Sequence, residues 1–100
     1  MIIYNVTVNI EDSVHHDWLH WMKEVHIPEV MSTGCFLEFR FAKVLVDEES
    51  GTTYSIQYLT RNMESLQDYR DNFGPALQAK TLERYSNKFV AFRTLLELVD

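Results

Sequence analysis

The chain has 100 residues, of which 46% are hydrophobic and 24% charged, and its formal net charge is −6 at pH 7. This length and balance predict one folded domain spanning residues 1–100 that needs no disulfide or metal to hold its core. The negative charge and the scattered basic residues argue against binding to nucleic acid or to an anionic membrane surface, because both depend on clustered Lys and Arg.

The first half of the chain predicts a strand followed by an interrupted helix. Residues 2–10 alternate between apolar and polar side chains, which is typical of a strand with one buried face. A helix is expected over residues 13–31, where Pro28 predicts a kink or break and Gly34 a left-handed C-cap. The apolar stripe of this helix consists of Val14, Trp18, Trp21, Met22 and Val25.

The second half predicts a hairpin, a second helix and a last strand. Residues 35–47 predict a long strand with apolar side chains on both faces, which a polar turn joins to a partner strand at residues 52–61. Asn62 is a candidate cap for the second helix, which Gly74-Pro75 interrupts before it ends near residue 86. Residues 88–99 predict the last strand.

This β-α-β-β-α-β order predicts a ferredoxin-like α+β fold. Two right-handed crossovers would place both helices on one face of a four-stranded antiparallel sheet. The other face would be polar in a monomer, yet several of the residues assigned to it are apolar. These are Phe36, Ala42, Val44, Val46 and Leu59.

A mixed apolar and polar sheet surface is typical of a self-complementary interface. We therefore expect a homodimer through the open sheet face, that is, a dimeric α+β barrel. A monomer with an apolar exposed sheet is the alternative. Glu38 and Arg40, with Arg93 and Glu97, predict a charge-paired network at this interface, or alternatively a site for an anionic ligand in a central cavity.

His26, Pro28 and Gly34 carry a resemblance to the dimeric α+β barrel superfamily. Several of its members have a His followed two positions later by a Pro near the end of the first helix, and a Gly before the second strand. The superfamily includes cofactor-free monooxygenases, haem-degrading enzymes, chlorite dismutase-like proteins and stress-responsive barrel proteins. The chain also resembles, over nearly its whole length, a bacterial family of similar size with no assigned function. The segments that carry this second resemblance are residues 1–9, 18–23, 26–28 and 91–94.

A candidate site for a small-molecule ligand lies where the first helix borders the sheet. His26 is at the edge of the apolar stripe, so a neutral imidazole there could act as a catalytic base or contact a ligand. The alternative is an imidazole bonded to a carbonyl at the helix break, with tyrosines that only fill the core. The expected ligand-binding residues are Tyr4, Met22, His26, Tyr54 and Tyr58.

Metal and cofactor sites are not expected. His16, His20 and Glu24 have the spacing of helical metal ligands, but the pattern favours a solvated helix face, and only a histidine from a second chain would change that. The sequence contains neither a glycine-rich phosphate loop nor a nucleophile elbow. We therefore expect no cofactor, although haem or flavin stays open because barrel proteins bind these groups in cavities shaped by the fold.

The amino terminus and the cysteine content indicate the cellular compartment in which the protein is expected. Residues 1–6 include neither a basic segment nor a signal-peptide cleavage site, and no apolar run is long enough to span a membrane. Cys35 is the single cysteine, and its apolar neighbours favour a buried thiol over a nucleophile. These features predict a cytoplasmic protein.

Three functional hypotheses result. The first is a homodimer that binds a small ligand without catalysing a reaction. The second is a cofactor-free monooxygenase or isomerase with His26 as the base. The third is a structural dimer within a larger assembly. A cavity that contains His26 would favour the first two, and a filled core would favour the third.

Overall fold

A four-stranded antiparallel sheet forms the centre of the structure, a computed structural model that describes residues 1–99. Its strand order is β2-β3-β1-β4, which confirms the predicted ferredoxin-like arrangement. The strands are β1 (Ile2–Ile10), β2 (Glu38–Lys43), β3 (Thr52–Thr60) and β4 (Phe89–Glu97).

The strand register assigns each side chain to one face of the sheet. Tyr4 of β1 lies opposite Tyr58 of β3, and Val6 lies opposite Arg93 of β4. Residues directly opposite each other in an antiparallel pair point to the same side. Arg93 therefore shares the helix-covered face with the buried tyrosines, and Phe92 points to the open face.

The first helical region changes its helical geometry just before Pro28, where a kink or break was predicted, but its backbone stays helical throughout. A 3-10 turn (Asp12–Val14) leads into α1 (His15–Trp21), a π-helical turn (Met22–His26) and α2 (Ile27–Ser32). The backbone N–H of Ile27 bonds to the carbonyl of Met22, five residues earlier.

A prolyl ring clashes with the carbonyl four residues before it in a regular α-helix. The wider π-helical turn immediately before Pro28 relieves that clash, so the chain needs no break. The extra residue in the turn also rotates the side chains, and Val25 leaves the predicted apolar stripe and is 39% exposed. Gly34 ends the region at φ +78°, which confirms the predicted left-handed cap.

The second helical region follows its prediction closely. The side chain of Asn62 accepts a hydrogen bond of 2.9 Å from the backbone N–H of Ser65, which caps α3 (Met63–Asn72). A new helix, α4 (Gly74–Tyr85), begins at the predicted Gly74-Pro75 interruption. Pro75 lies in its first turn, where the missing N–H costs nothing.

The strand predicted at residues 35–47 is shorter than expected. Cys35 and Phe36 are both buried, which the strict alternation of a strand does not allow, and β2 begins only at Glu38. Phe36 packs against Tyr4, Tyr58 and Tyr69 on the helix-covered face, with ring centroids 4.9–6.0 Å apart. Its assignment to the open face was therefore wrong.

The open face carries large apolar side chains in contact with solvent. On β4, Val90 is 70% exposed and Phe92 is 63% exposed, and Leu96 is also exposed. A polar row crosses the same face, in which Ser55 donates a hydrogen bond of 2.6 Å to Asn5. None of the helices within residues 1–99 has the length and apolar content to cross a bilayer.

Candidate functional site

A cavity of about 260 Å³ lies between the helix-covered face of the sheet and the helices. Strands β1, β3 and β4 form its floor, the first helical region forms one wall, and α4 forms the other. Its lining residues are Tyr4, Val6, Val8, Trp18, Met22, His26, Val30, Ile56, Tyr58, Tyr69, Gln78, Thr81, Leu82, Phe89, Ala91 and Arg93.

His26 is the last residue of the π-helical turn and lines this cavity. Its ring stacks on that of Trp21, with centroids 5.1 Å apart and planes inclined by 26°. Within residues 1–99 the imidazole has no hydrogen-bond partner. The alternative, in which the imidazole donates a hydrogen bond to a backbone carbonyl at the helix break, is therefore not observed.

The imidazole of His26 is neutral at pH 7. Burial lowers its pKa to about 4, and the positive charges of Arg93 and Lys80 contribute in the same direction. The carboxylate of Glu29 opposes this shift without reversing it. A neutral imidazole offers one donor and one acceptor to a molecule in the cavity.

Arg93 is the cationic group of the cavity, and the register explains its presence there. Its Nε donates a hydrogen bond of 2.9 Å to the hydroxyl of Tyr4. Among the described residues no carboxylate forms a salt bridge with Arg93. The predicted network of Arg93 and Glu97 with Glu38 and Arg40 does not form, because the two pairs lie on opposite faces of the sheet.

Tyr58 and Tyr69 add two phenolic hydroxyls at the Tyr4 end of the cavity. Their side chains are 2% and 4% exposed, and burial raises the pKa of each above its usual value, so both stay protonated. Neither hydroxyl has a hydrogen-bond partner within residues 1–99. No side-chain oxygen or nitrogen in that part of the chain is both sealed from solvent and unpaired, so these hydroxyls open into the cavity.

Four of the five residues predicted to bind a ligand therefore line one cavity: Tyr4, Met22, His26 and Tyr58. The fifth, Tyr54, shares their face of the sheet but lies outside the cavity lining. Its hydroxyl is hydrogen-bonded to Nε2 of His15 at 2.7 Å, and its ring packs against Trp18 and Phe41. Tyr54 thus packs in the core beside the cavity.

Tyr69 and Arg93 were missed as site residues. Tyr69 had the spacing of an ordinary core residue on the second helix, and Arg93 had been assigned to the dimer interface. The alternation of side chains along the last strand was the available signal for Arg93. Arg93 lies two and four positions after Ala91 and Phe89, which both pack on the core, so it points to the same face of the sheet.

Two groups of polar contacts join α4 to the first helical region. Lys80 and Glu29 form a salt bridge of 2.7 Å, and the Tyr85 hydroxyl donates a hydrogen bond of 2.6 Å to Asp17. These contacts link the two helical walls of the cavity at both ends of the first helical region.

The remaining candidate residues do not form a reactive centre. His16, His20 and Glu24 are exposed on the helix surface, and no group of three or more metal-ligating side chains occurs within residues 1–99. Cys35 is buried, and burial raises the pKa of its thiol. A thiol with a raised pKa is a poor nucleophile.

Comparison with known proteins places this chain in a family. Residues 1–99 match the family described as a domain of unknown function, DUF4286. The chain belongs to this family. No curated protein matches it in sequence.

This DUF4286 protein shares its fold with several solved structures. HapK from Hahella chejuensis is 8% identical, with a TM-score of 0.75 over 99% of this chain and 93% of HapK. An ethyl tert-butyl ether D (EthD) family protein from Bacillus halodurans is 13% identical, with a TM-score of 0.70 over 99% of this chain and 100% of its own.

SnoaB from Streptomyces nogalater, described as a cofactor-independent oxygenase, is 8% identical, with a TM-score of 0.68 over 99% of this chain and 94% of its own. Identities this low establish the fold alone. They confirm the predicted fold.

The cavity is small for a ligand site. Its volume lies just below the roughly 300–1,000 Å³ of pockets that take drug-sized ligands.

Proposed function

We propose that this DUF4286 protein binds a small, largely apolar molecule in the cavity beside His26. The observation that carries the proposal is an amphipathic cavity whose imidazole, two phenols and guanidinium have capacity for further hydrogen bonds. A cavity with a few convergent polar groups is the usual form of a small-molecule site. A filled core, which the purely structural hypothesis requires, is not what the chain forms.

The pKa of His26 favours binding over base catalysis. With a pKa of about 4, roughly one imidazole in a thousand carries a proton at pH 7. A general base works best when its pKa is near the operating pH, so His26 is a weak proton acceptor in the free protein. The same neutrality suits it to donate and accept hydrogen bonds with a ligand.

A cofactor-free monooxygenase or isomerase is the second candidate. Its support is the fold shared with SnoaB, a cofactor-independent oxygenase, together with an imidazole that has no protein partner. In this reaction class His26 would remove a proton from an activated aromatic or carbonyl substrate inside the cavity. The substrate would have to become anionic beside His26 and so raise the pKa of the imidazole.

Tryptophan fluorescence can test the proposed binding function. Trp18 lines the cavity and Trp21 stacks on His26, so an occupant of the cavity should change the emission. We expect hits from a panel of small mono- and bicyclic aromatic compounds, and weaker binding of those hits by the His26→Gln variant. His20→Gln, an exposed histidine on the same helix, is the matched control and should bind like the wild type.

The outcomes separate the two candidates. Binding without any chemical change of the hits supports a binding protein. Exchange of a ligand C–H for solvent deuterium that His26→Gln abolishes would instead support proton abstraction. Equal binding by the His26→Gln variant and the wild type would contradict a role for His26 in either.

We further propose that two copies pair through the open sheet face. The pairing is supported by Phe92 and Val90, which are both more than half exposed on this face. A monomer gains no stability from large apolar side chains in contact with water. Native mass spectrometry should therefore find a homodimer, and Phe92→Glu should convert it to a monomer. Met63→Glu, at an exposed apolar position on α3, should leave the dimer intact. A monomeric wild type would refute this pairing.

A further inference from the structure

Three phenols and the guanidinium of Arg93 lie together at one end of the cavity, around Tyr4. Tyr4 and Arg93 lie at the beginning of β1 and the facing part of β4, and the apolar lining continues along β1 through Val6 to Val8. At about 3.3 Å per strand residue, Tyr4 and Val8 are about 13 Å apart. The cavity therefore has a polar end and an apolar end separated by the length of a small ligand.

The polar end offers hydrogen-bond donors that have no acceptor among the described residues. The Tyr4 hydroxyl accepts a hydrogen bond from Arg93 and keeps its own proton available. The Tyr58 and Tyr69 hydroxyls are more than nine-tenths buried and unpaired within residues 1–99. Arg93 uses its Nε on Tyr4, which leaves its terminal nitrogens free.

The charge of Arg93 and the buried phenols together favour an anion. The guanidinium of Arg93 is exposed to solvent and forms no salt bridge in the part of the chain that the structure describes, so water screens part of its charge. The phenols of Tyr58 and Tyr69 are buried and stay protonated. Hydrogen bonds to an ionised carboxylate are roughly twice as strong as those between neutral groups.

We propose that the ligand is a monocarboxylate whose anionic group lies on Arg93, Tyr58 and Tyr69. This inference rests on the proposed binding function and specifies its ligand class. The apolar body of the ligand extends along β1 toward Val8 and Trp18. His26, on the helical wall between the two ends, contacts a hydrogen-bonding substituent of that body.

Matched acid and amide pairs test the ligand class directly. The probes are benzoate, phenylacetate and trans-cinnamate, each with its primary amide, which has the same shape but no charge. Isothermal titration at pH 7.5, where the acids are ionised, measures the dissociation constant of each. We expect at least one acid to bind about ten- to a hundredfold more tightly than its amide, the difference that a charge-assisted pair contributes.

Variants of the polar end provide the second readout. Arg93→Gln should reduce the preference for the acid over its amide by about threefold, because Arg93 is exposed and the two phenols remain. Arg70→Gln, which removes an exposed charge on α3, should leave the preference unchanged. Tyr58→Phe and Tyr69→Phe keep the ring and should each weaken acid binding by about fivefold while leaving amide binding unchanged.

Each result bears on one proposal or the other. Equal or tighter binding of the amides, or a preference for acids that Arg93→Gln leaves unchanged, overturns the monocarboxylate inference. If all six probes fail but neutral aromatic compounds bind in the fluorescence panel, the inference fails and the binding function stands. If neither the probes nor the panel bind, both proposals fail.

Discussion

Replacing His26 with Gln should remove a pH dependence of folding stability that the buried imidazole creates. The pKa of His26 falls from 6.5 to about 4 on folding, mainly because the ring is buried. The unfolded chain therefore takes up a proton near pH 6.5, whereas the folded chain stays neutral at this position down to about pH 4. Since the unfolded state binds more protons in this window, the free energy of unfolding decreases as the pH falls through it.

The size of the effect follows from the same two pKa values. A difference of about 2.5 pH units corresponds to a loss of about 3 kcal/mol once the pH is below 4. Between pH 7.5 and pH 5 the wild type should lose about 2 kcal/mol through this residue alone. Above pH 6.5 the imidazole is neutral in both states and contributes no pH dependence.

Urea unfolding followed by tryptophan fluorescence measures this directly. Wild type, His26→Gln and His20→Gln are compared across about pH 7.5 to 5. The exposed carboxylates titrate equally in all three proteins, so differences between them isolate the histidine. His26→Gln should lose about 2 kcal/mol less than the wild type, and His20→Gln should follow the wild type. Parallel pH profiles for His26→Gln and the wild type would show that the imidazole titrates normally and would refute the reasoning.

Three further predictions concern the fold. Gly51→Ala should destabilise the protein more than Gly34→Ala. Both glycines have positive φ, but a Cβ at Gly51 would clash with the side-chain oxygen of Asn9 and the backbone carbonyl of Ile10, whereas one at Gly34 meets nothing within 4 Å. Urea unfolding should show a loss of about 1 kcal/mol for Gly34→Ala and more for Gly51→Ala, and the reverse order would contradict the contact argument. Trp18→Ala should cost about 3–5 kcal/mol in the same assay, because Trp18 is 1% exposed between the helix and the sheet; a loss below about 1 kcal/mol would mean that the core refills the space. Asn62→Ala should lower the free energy of unfolding by about 1 kcal/mol through loss of its 2.9 Å capping bond, whereas Asn62→Gly should lower it by only a few tenths. Thermal unfolding measures both variants, and midpoints equal to that of the wild type would exclude a capping role.

The local features of the chain could be read from its sequence because they depend on neighbouring residues. Strand alternation in residues 2–10, the Asn62 cap and the Gly74-Pro75 interruption each follow from side chains a few positions apart. Their order along the chain was sufficient to predict the ferredoxin-like topology, since right-handed crossovers leave few alternatives.

The helix at Pro28 shows where local reasoning is incomplete. A proline inside a helix predicts a break, because the clash with the preceding turn has no remedy within an α-helix. The chain instead forms a π-helical turn, which keeps the helix continuous and turns Met22 and His26 toward the sheet. Ile27 and Val30, just after this turn, are buried in the hydrophobic core, and burial of this kind is not visible to reasoning from neighbouring residues.

The sequence by itself determined the fold class and most of the element boundaries, and four of the five residues that it predicted to bind a ligand line the candidate cavity. Tertiary structure alone decided that Tyr54 lies outside it, that Tyr69 and Arg93 lie within it, and that Phe36 belongs to the core. These assignments depend on strand register and on the path of a loop. A shift of one residue in either reverses the face to which a side chain points, and the contacts that choose the register join residues up to 89 positions apart, such as Arg93 and Tyr4.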